Sequence, residues 1–204
     1  MILYNFNTNY DRKLRRITVE KKLYSTVKIP LKTYVAYWFH SLAGNKNKVD
    51  SQIKLGIYGN NFQKLAYFLP DNEKYQTSII QYFDNLIMKN IEFKIICRSS
   101  AFDMFQSSIM HSGIIISDKQ LNRWGLPEEA TIRQLESLSI DAVIDLNPEE
   151  DPVHSMLIRS SKSPIKIGFQ SKRHTSLFNI TVENNREEII EYQFNQINQL
   201  LGLA

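Results

Sequence analysis

Hydrophobic positions along the chain follow two alternating patterns: short continuous apolar runs, and longer stretches with apolar residues three and four apart. The short runs are typical of buried strands, and the longer stretches are typical of amphipathic helices. The predicted strands cover residues 53–58, 91–97, 113–117, 140–146, 164–169 and 177–182. The predicted helices cover residues 31–42, 71–87, 131–138, 152–160 and 185–201. Because alternating strands and helices need crossover connections, the sequence predicts an α/β fold, a Rossmann-like three-layer sandwich with a mainly parallel sheet.

Residues at the predicted helix starts support these elements. Asp71 or Asn72, directly after Pro70, is a suitable N-cap for the second helix. The apolar face of that helix comprises Ile79, Ile80, Phe83, Leu86 and Ile87. Pro152 fits the first turn of the helix 152–160, where its missing N–H costs nothing. In the first helix, core or docking positions are expected for Tyr34, Tyr37, Trp38 and Phe39.

Charge divides the chain into two unlike parts. The whole chain carries 25 basic and 21 acidic residues, a net +4. Residues 1–50 hold 10 basic and 3 acidic residues (net +7), whereas residues 51–204 hold 15 basic and 18 acidic residues (net −3). We therefore predict a basic N-terminal arm with a helical extension over 1–50 and a Rossmann-like domain over 51–204. Residues 128–151 hold eight acids against Arg133 alone, so the arm could pair with this segment in the same molecule or a neighbour.

Composition indicates the compartment. Cys97 is the only cysteine and lies in a predicted strand, so we expect a buried thiol, no internal disulfide and a reducing environment. The sequence contains no run of roughly 18 apolar residues and does not start like a secretory signal. The chain is expected to be cytoplasmic, without a transmembrane segment.

Ligands of open parallel sheets bind where the carboxyl ends of the strands meet. The first loop expected there contains Asn60 and Asn61, which could contact a nucleotide or simply form a turn. The loop lacks the two usual nucleotide-binding signals, the Gly-x-Gly-x-x-Gly spacing and the P-loop lysine. The basic turn after Gly168 is another, in which Lys172 and Arg173 could meet a phosphate or an acidic partner, or form a solvated loop.

A further loop, 145–151, is rich in acids. Its carboxylates could supply a general base or ligands for a hard metal ion, but for Glu149, Glu150 and Asp151 a structural role at the positive end of the following helix dipole is favoured. Asp145 ends an apolar strand and is expected to face the cleft, with Asn147 beside it. No metal site or cofactor is predicted, because His40, His111, His154 and His174 are far apart in sequence.

Three segments in this order resemble glycosyltransferase family 9, the ADP-heptose:lipopolysaccharide heptosyltransferases: Ile140-Asp-Ala-Val-Ile-Asp-Leu-Asn, Val153-His-Ser-Met-Leu-Ile-Arg-Ser and Pro164-Ile-Lys-Ile-Gly-Phe. The resemblance implies the N-terminal Rossmann-like half of a two-domain (GT-B) transferase. The chain is also similar to short stand-alone bacterial proteins without known activity, through the segment Leu121-Asn-Arg-Trp-Gly-Leu-Pro.

The departures from this family bear on activity. The resemblance implies a Gly-Asp pair after the first strand, whose aspartate is the base for the acceptor hydroxyl; this chain has Gly59-Asn60, and an amide takes up no proton at neutral pH. The family binds its sugar nucleotide mainly with a second half of similar size, for which we expect no room before Ala204.

The sequence therefore favours a non-catalytic stand-alone domain that binds a protein partner, a second copy of itself or an anionic ligand. One alternative is a heptosyltransferase-like subunit that works with a separate donor-binding chain and uses Asp145 as base. Another is a contact with nucleic acid or an anionic membrane through the basic arm, which carries no base-reading motif.

Overall fold

In a computed structural model, the residues described are 29–43, 62, 64–88, 91–102, 105, 113–170, 177–183 and 190–203. The strands are β1 (Leu65–Phe68), β2 (Phe93–Arg98), β3 (Gly113–Ile116), β4 (Ala142–Asp145), β5 (Ile165–Phe169) and β6 (Ile180–Val182). The helices are α1 (Leu31–Ala43), α2 (Gln76–Met88), α3 (Ser99–Phe102), α4 (Glu129–Glu136), α5 (Pro152–Ser160) and α6 (Ile190–Leu201). Two short 3-10 helices cover Glu73–Tyr75 and Asp118–Gln120.

The strands form one six-stranded sheet in the order β3-β2-β1-β4-β5-β6, and every neighbouring pair is parallel. In the central pair, Leu65 lies beside Ala142 and Phe68 beside Asp145. The chain leaves β1 in one direction across the sheet and later returns to its other side as β4. The sheet thus has a topological switch point between the carboxyl ends of these two strands, where open α/β sheets form a crevice.

Side chains alternate between the two faces of the sheet, and each face is covered by helices. Tyr67 and Ile144 point to the face that packs on α2 and α6, through residues such as Phe83 and Phe194. Phe68 and Val143 point to the other face, which packs on α4 and α5 through Leu135, Val153, Leu157 and Ile158. A strand buried on both faces reads as a continuous apolar run, which is why β2, β4 and β5 were predictable. The three-layer α/β fold is confirmed.

The first strand is where sequence and structure differ most. The predicted strand 53–58 lies outside the described residues, and β1 occupies Leu65–Phe68, a segment to which the pattern assigned no element. All four residues of β1 are buried, but the run is short and Pro70 follows it closely, so it resembled the approach to a helix. The loop at the carboxyl end of β1 is therefore 69–72.

Within α2 the predicted apolar face is correct for Ile79, Phe83 and Leu86, which are buried, but wrong for Ile87, which is exposed. The N-cap is Asn72, whose side chain accepts a hydrogen bond from the backbone N–H of Lys74 and starts the 3-10 turn that leads into α2.

Helix α1 packs against the body of the fold. Tyr37 is buried with Leu126 and Met156, and the Tyr34 hydroxyl donates a 3.1 Å hydrogen bond to the carbonyl of Glu150. Gly125, in the turn that faces α1, has a φ of 77°, and a Cβ there would lie 2.7 Å from Thr33 Oγ1, so glycine is required by both conformation and space. No helix in the described part of the chain combines the length and apolarity needed to cross a membrane.

Candidate functional site

The structure places only some of the predicted site residues. Asp145 and Asn147 lie at and just beyond the carboxyl end of β4, at the switch point. Asn60, Asn61, Lys172 and Arg173 lie outside the described residues, so their predicted contacts stay predictions.

Asp71 occupies the loop that follows β1, on the β1 side of the switch point. Since Asn72 caps the following helix, the Asp71 carboxylate is available for other contacts. Its Oδ2 accepts a 3.0 Å hydrogen bond from Ser100 Oγ and lies 3.6 Å from Arg98 Nε. Its Oδ1 is buried and has no hydrogen-bond partner among the described residues. The side chain as a whole is 15% exposed.

Asp145 ends β4 but does not open onto the cleft as expected. The side chain is buried; Oδ1 accepts a 3.0 Å hydrogen bond from the backbone N–H of Asn147 and lies 3.6 Å from His154 Nδ1. Asn147 in turn accepts a hydrogen bond from the N–H of Glu149 at 3.0 Å. Both side chains therefore stabilise the turn 145–149, because each satisfies a backbone donor that has no strand partner.

The start of α5 brings a third carboxylate to the site. Asp151 is the N-cap, accepting a 2.7 Å hydrogen bond from the N–H of Val153, and Pro152 occupies the first turn as predicted. The other oxygen of Asp151, Oδ2, lies 4.0 Å from both Arg98 Nη1 and His154 Nε2. Asp151 therefore caps α5 and also lies between Arg98 and His154, the two cations of the site. The helix-terminus role that the sequence suggested for Asp151 is confirmed.

His154 lies one turn into α5, between the carboxylates, and is fully buried. Burial disfavours its charge, but Asp151, Asp145 and Asp71 outweigh burial and raise the pKa of His154 to about 9. Neither ring nitrogen has a hydrogen-bond partner among the described residues, and the ring packs 5.2 Å from the ring of Phe68. The imidazolium is therefore held by nearby negative charge.

Together these residues form a charged cluster, here named the switch-point cluster: Asp71, Arg98, Asp145, Asp151 and His154. With His154 protonated it contains three negative and two positive charges, a net −1. Burial, reinforced by the charge of Asp151, raises the pKa of Asp71 despite His154, Arg98 and Ser100, which lower it. The aspartate with the most exposed side chain in the cluster therefore takes up a proton more readily than an ordinary aspartate.

Other candidate chemistry in the described residues is limited. Cys97 is buried, as predicted, and burial raises the pKa of its thiol to about 12, so it is not a nucleophile near neutral pH. Within the described ranges, no three histidine, cysteine or acidic side chains are grouped so that they could hold a metal ion. A cleft of about 240 Å³ lies at the opposite, amino-terminal edge of the sheet, lined by residues including Lys64, Glu92 and Ser139, and it does not reach the cluster.

Sequence reasoning missed Arg98 and His154 and assigned Asp71 to a cap. A charged residue that ends an apolar strand was the available signal for Arg98, because such a residue lies at the carboxyl edge of the sheet. For His154 the signal was its position three residues after Asp151, on the same side of a helix.

The sheet order defines a Rossmann-like α/β domain, with a polar cluster at its switch point. The E. coli heptosyltransferase WaaC with ADP has a similar fold (TM-score 0.50, 14% identity, covering 69% of this chain and 48% of that one). The same enzyme with ADP-2-deoxy-2-fluoro heptose gives a TM-score of 0.52 at 14% identity, covering 69% and 49%. The family 9 glycosyltransferase of Veillonella parvula DSM 2008 gives 0.49 at 12% identity, covering 76% and 44%. The chain thus spans about half the length of WaaC, and the likeness to WaaC confirms the expected fold.

The chain belongs to the DUF6913 family, a family of unknown function whose model matches residues 39–202. No curated protein sequence matches it. The family match covers the predicted Rossmann-like domain and begins inside α1.

Proposed function

We propose that this chain is a non-catalytic binding domain that holds a hydroxyl-rich, sugar-like ligand at the switch-point cluster. The observation that carries the proposal is that Asp71 Oδ1 is buried without a hydrogen-bond partner among the described residues, on a side chain that remains 15% exposed. A buried carboxylate oxygen without a donor costs free energy, and a ligand hydroxyl would supply the donor.

Charge favours a neutral ligand over the anion expected from the sequence. Arg98, the cation nearest the outside of the cluster, faces both Asp71 and Asp151. An anion would have to compete with these carboxylates inside a cluster whose net charge is −1. A polyol meets no such repulsion, since its hydroxyls donate to carboxylates and accept from the guanidinium. The anionic-ligand hypothesis now depends on Lys172 and Arg173.

Ligand titrations followed by NMR chemical shifts test this proposal. The panel comprises neutral hexoses and heptoses, ADP and inorganic phosphate, each up to millimolar concentration. We expect the neutral sugars to shift resonances of residues 69–72 and 145–151, and Asp71→Asn to weaken their binding about 10- to 100-fold, the loss of one charge-assisted hydrogen bond. Asp84→Asn, an exposed aspartate on α2, is the matched control. Binding of phosphate or ADP alone would contradict the neutral-ligand assignment.

A second candidate is the acceptor half of a glycosyltransferase, with Asp71 as general base. The position of Asp71 after β1 and its raised pKa favour it, because a base must be accessible and only moderately acidic. The argument from Asn60 does not apply, because β1 is Leu65–Phe68 and the loop that follows it contains Asp71. Asp145 is too buried to take an acceptor proton.

Turnover separates the two candidates. The chain is incubated with sugar nucleotides and acceptor sugars, and release of nucleoside diphosphate is measured. Transfer that Asp71→Asn reduces at least about 100-fold and Asp84→Asn leaves intact would establish the enzyme. Sugar binding without turnover for any donor would support the binding domain.

A further inference from the structure

The outer face of α1 is apolar, and no residue in the described part of the chain covers it. Leu31, Val35, Trp38 and Phe39 are 78%, 46%, 56% and 61% exposed. They are spaced four, three and one residues apart, so they lie on one side of the helix. Isolated exposed apolar residues are ordinary on a protein surface, but four on one short helix form a patch typical of an interaction site.

The other side of α1 fixes the helix to the fold. Tyr37 packs on Leu126 and Met156, and its hydroxyl accepts a 3.3 Å hydrogen bond from Arg159. The Tyr34 hydroxyl is bonded to the loop before α5. The helix therefore cannot turn its apolar face inward without losing these contacts, and the patch is a fixed feature of the surface.

We propose that this face docks on an anionic membrane surface, with the apolar side chains in the lipid interface and Lys32 and Arg123 at the head groups. This inference is independent of the proposed sugar site. Trp and Phe on one side of a helix are typical of interfacial anchors. Thirteen residues span only about 20 Å as a helix, less than a bilayer core, so α1 would lie in the plane of the interface.

Charge selects an anionic membrane as the occupant. Lys32 and Arg123 are exposed beside the patch, where the Lys32 ammonium donates to the carbonyl of Arg123, and α1 contains no acidic residue. Residues 1–50 carry a net +7. Two copies that met through this face would bring like charges together, whereas anionic lipids attract basic residues.

The nearby acidic segment 128–151 opposes this attraction only in part. Glu129 forms an ion pair with Arg133, and Glu149 forms an ion pair with Lys74 at 2.7 Å. Asp145 and Asp151 are buried in the switch-point cluster.

Flotation of the full chain with vesicles tests the proposal. Vesicles of phosphatidylcholine alone are compared with vesicles that contain phosphatidylglycerol at about 30%. We expect binding to the anionic vesicles, weakened at least about tenfold when salt is raised from 0.1 to 0.5 M. The double substitution Trp38→Ser, Phe39→Ser is expected to weaken binding at least about tenfold through the lost apolar burial. Tyr192→Ser removes an equally exposed aromatic side chain from α6 and should bind like the wild type.

Fluorescence identifies the contact without relying on the double variant. Trp38 and Trp124 are the two tryptophans, so Trp124→Phe leaves Trp38 as the only indole. A blue shift of its emission with anionic vesicles is expected. Equal binding to both vesicle types, or an unshifted Trp38, would overturn the proposal. Sedimentation as a dimer that the double substitution abolishes, without vesicle binding, would assign the face to a second copy instead.

Discussion

Protonated His154 should stabilise the fold at neutral pH and lose that effect in alkali. In the unfolded chain its pKa is near 6.5, and in the fold the surrounding carboxylates raise it to about 9. A group whose folded pKa is raised contributes stability that is complete below its unfolded pKa and lost as the pH rises through its folded pKa. The difference corresponds to about 3 kcal/mol, lost between pH 6.5 and about 9.

Urea denaturation at a series of pH values between 6 and 10 measures this effect. Other groups titrate in the same range, so the informative quantity is the difference in free energy of unfolding between wild type and His154→Gln. We expect that difference to be largest near pH 6 and to fall by about 3 kcal/mol by pH 10. His40→Gln, which removes an exposed histidine from α1, is the matched control for the loss of an imidazole.

A difference between wild type and His154→Gln that stays constant with pH would refute the reasoning, because it would mean that His154 does not become protonated on folding. If the variant fails to fold, the ring-proton NMR resonances of His154 in the wild type give the same answer. Their titration midpoint is expected near pH 9, and a midpoint below 6.5 would show that burial outweighs the three carboxylates.

Three further substitutions test the packing and charge of the fold, each by urea denaturation at pH 7. Arg98→Met removes the cation between Asp71 and Asp151 and is expected to lower the free energy of unfolding by about 3 kcal/mol. A decrease below about 1 kcal/mol would show that the two carboxylates need no counter-charge. Gly168→Ala places a Cβ against the Phe178 ring and should lower the free energy of unfolding by about 1–3 kcal/mol. Adding Phe178→Leu should restore part of that stability, and a double variant no more stable than Gly168→Ala would contradict the predicted clash. Lys74→Ala breaks an exposed ion pair and should cost less than about 1 kcal/mol, so a larger loss would mean that this pair is more shielded from water than its exposure indicates.

Most of the sheet was predictable because its strands carry their own signal. The strands around Ile95, Ile144 and Ile167 are apolar runs bounded by polar residues, and such runs depend little on distant context. Strand β1 lacks that independence: it has four residues, and it is a strand because β2 and β4 pair with it on both sides. A short segment stabilised by its neighbours gives only a weak signal in its own sequence.

Site residues could be predicted from the sequence only where their position at the end of a strand was enough to place them at the carboxyl edge of the sheet. Asp145 and Asn147 were identified because they end a strand, although the sequence could not show that Asp145 turns toward His154. Arg98 meets Asp71 and Asp151 because β2, β1 and β4 are neighbours in the sheet, and that order is not a local property of any of them.

The pairing of β1 with β4 also has a consequence for how the protein folds. Lys64 and Asp141, at the start of these strands, are 77 residues apart and are joined by backbone and side-chain hydrogen bonds. The entropy of closing so long a loop must be overcome before the central strand gains its second neighbour, which slows folding. During synthesis β1 emerges well before β4, and until β4 arrives one edge of this apolar strand is open to pairing with other chains. The charges around His154 therefore come together late, once the two halves of the sheet have joined.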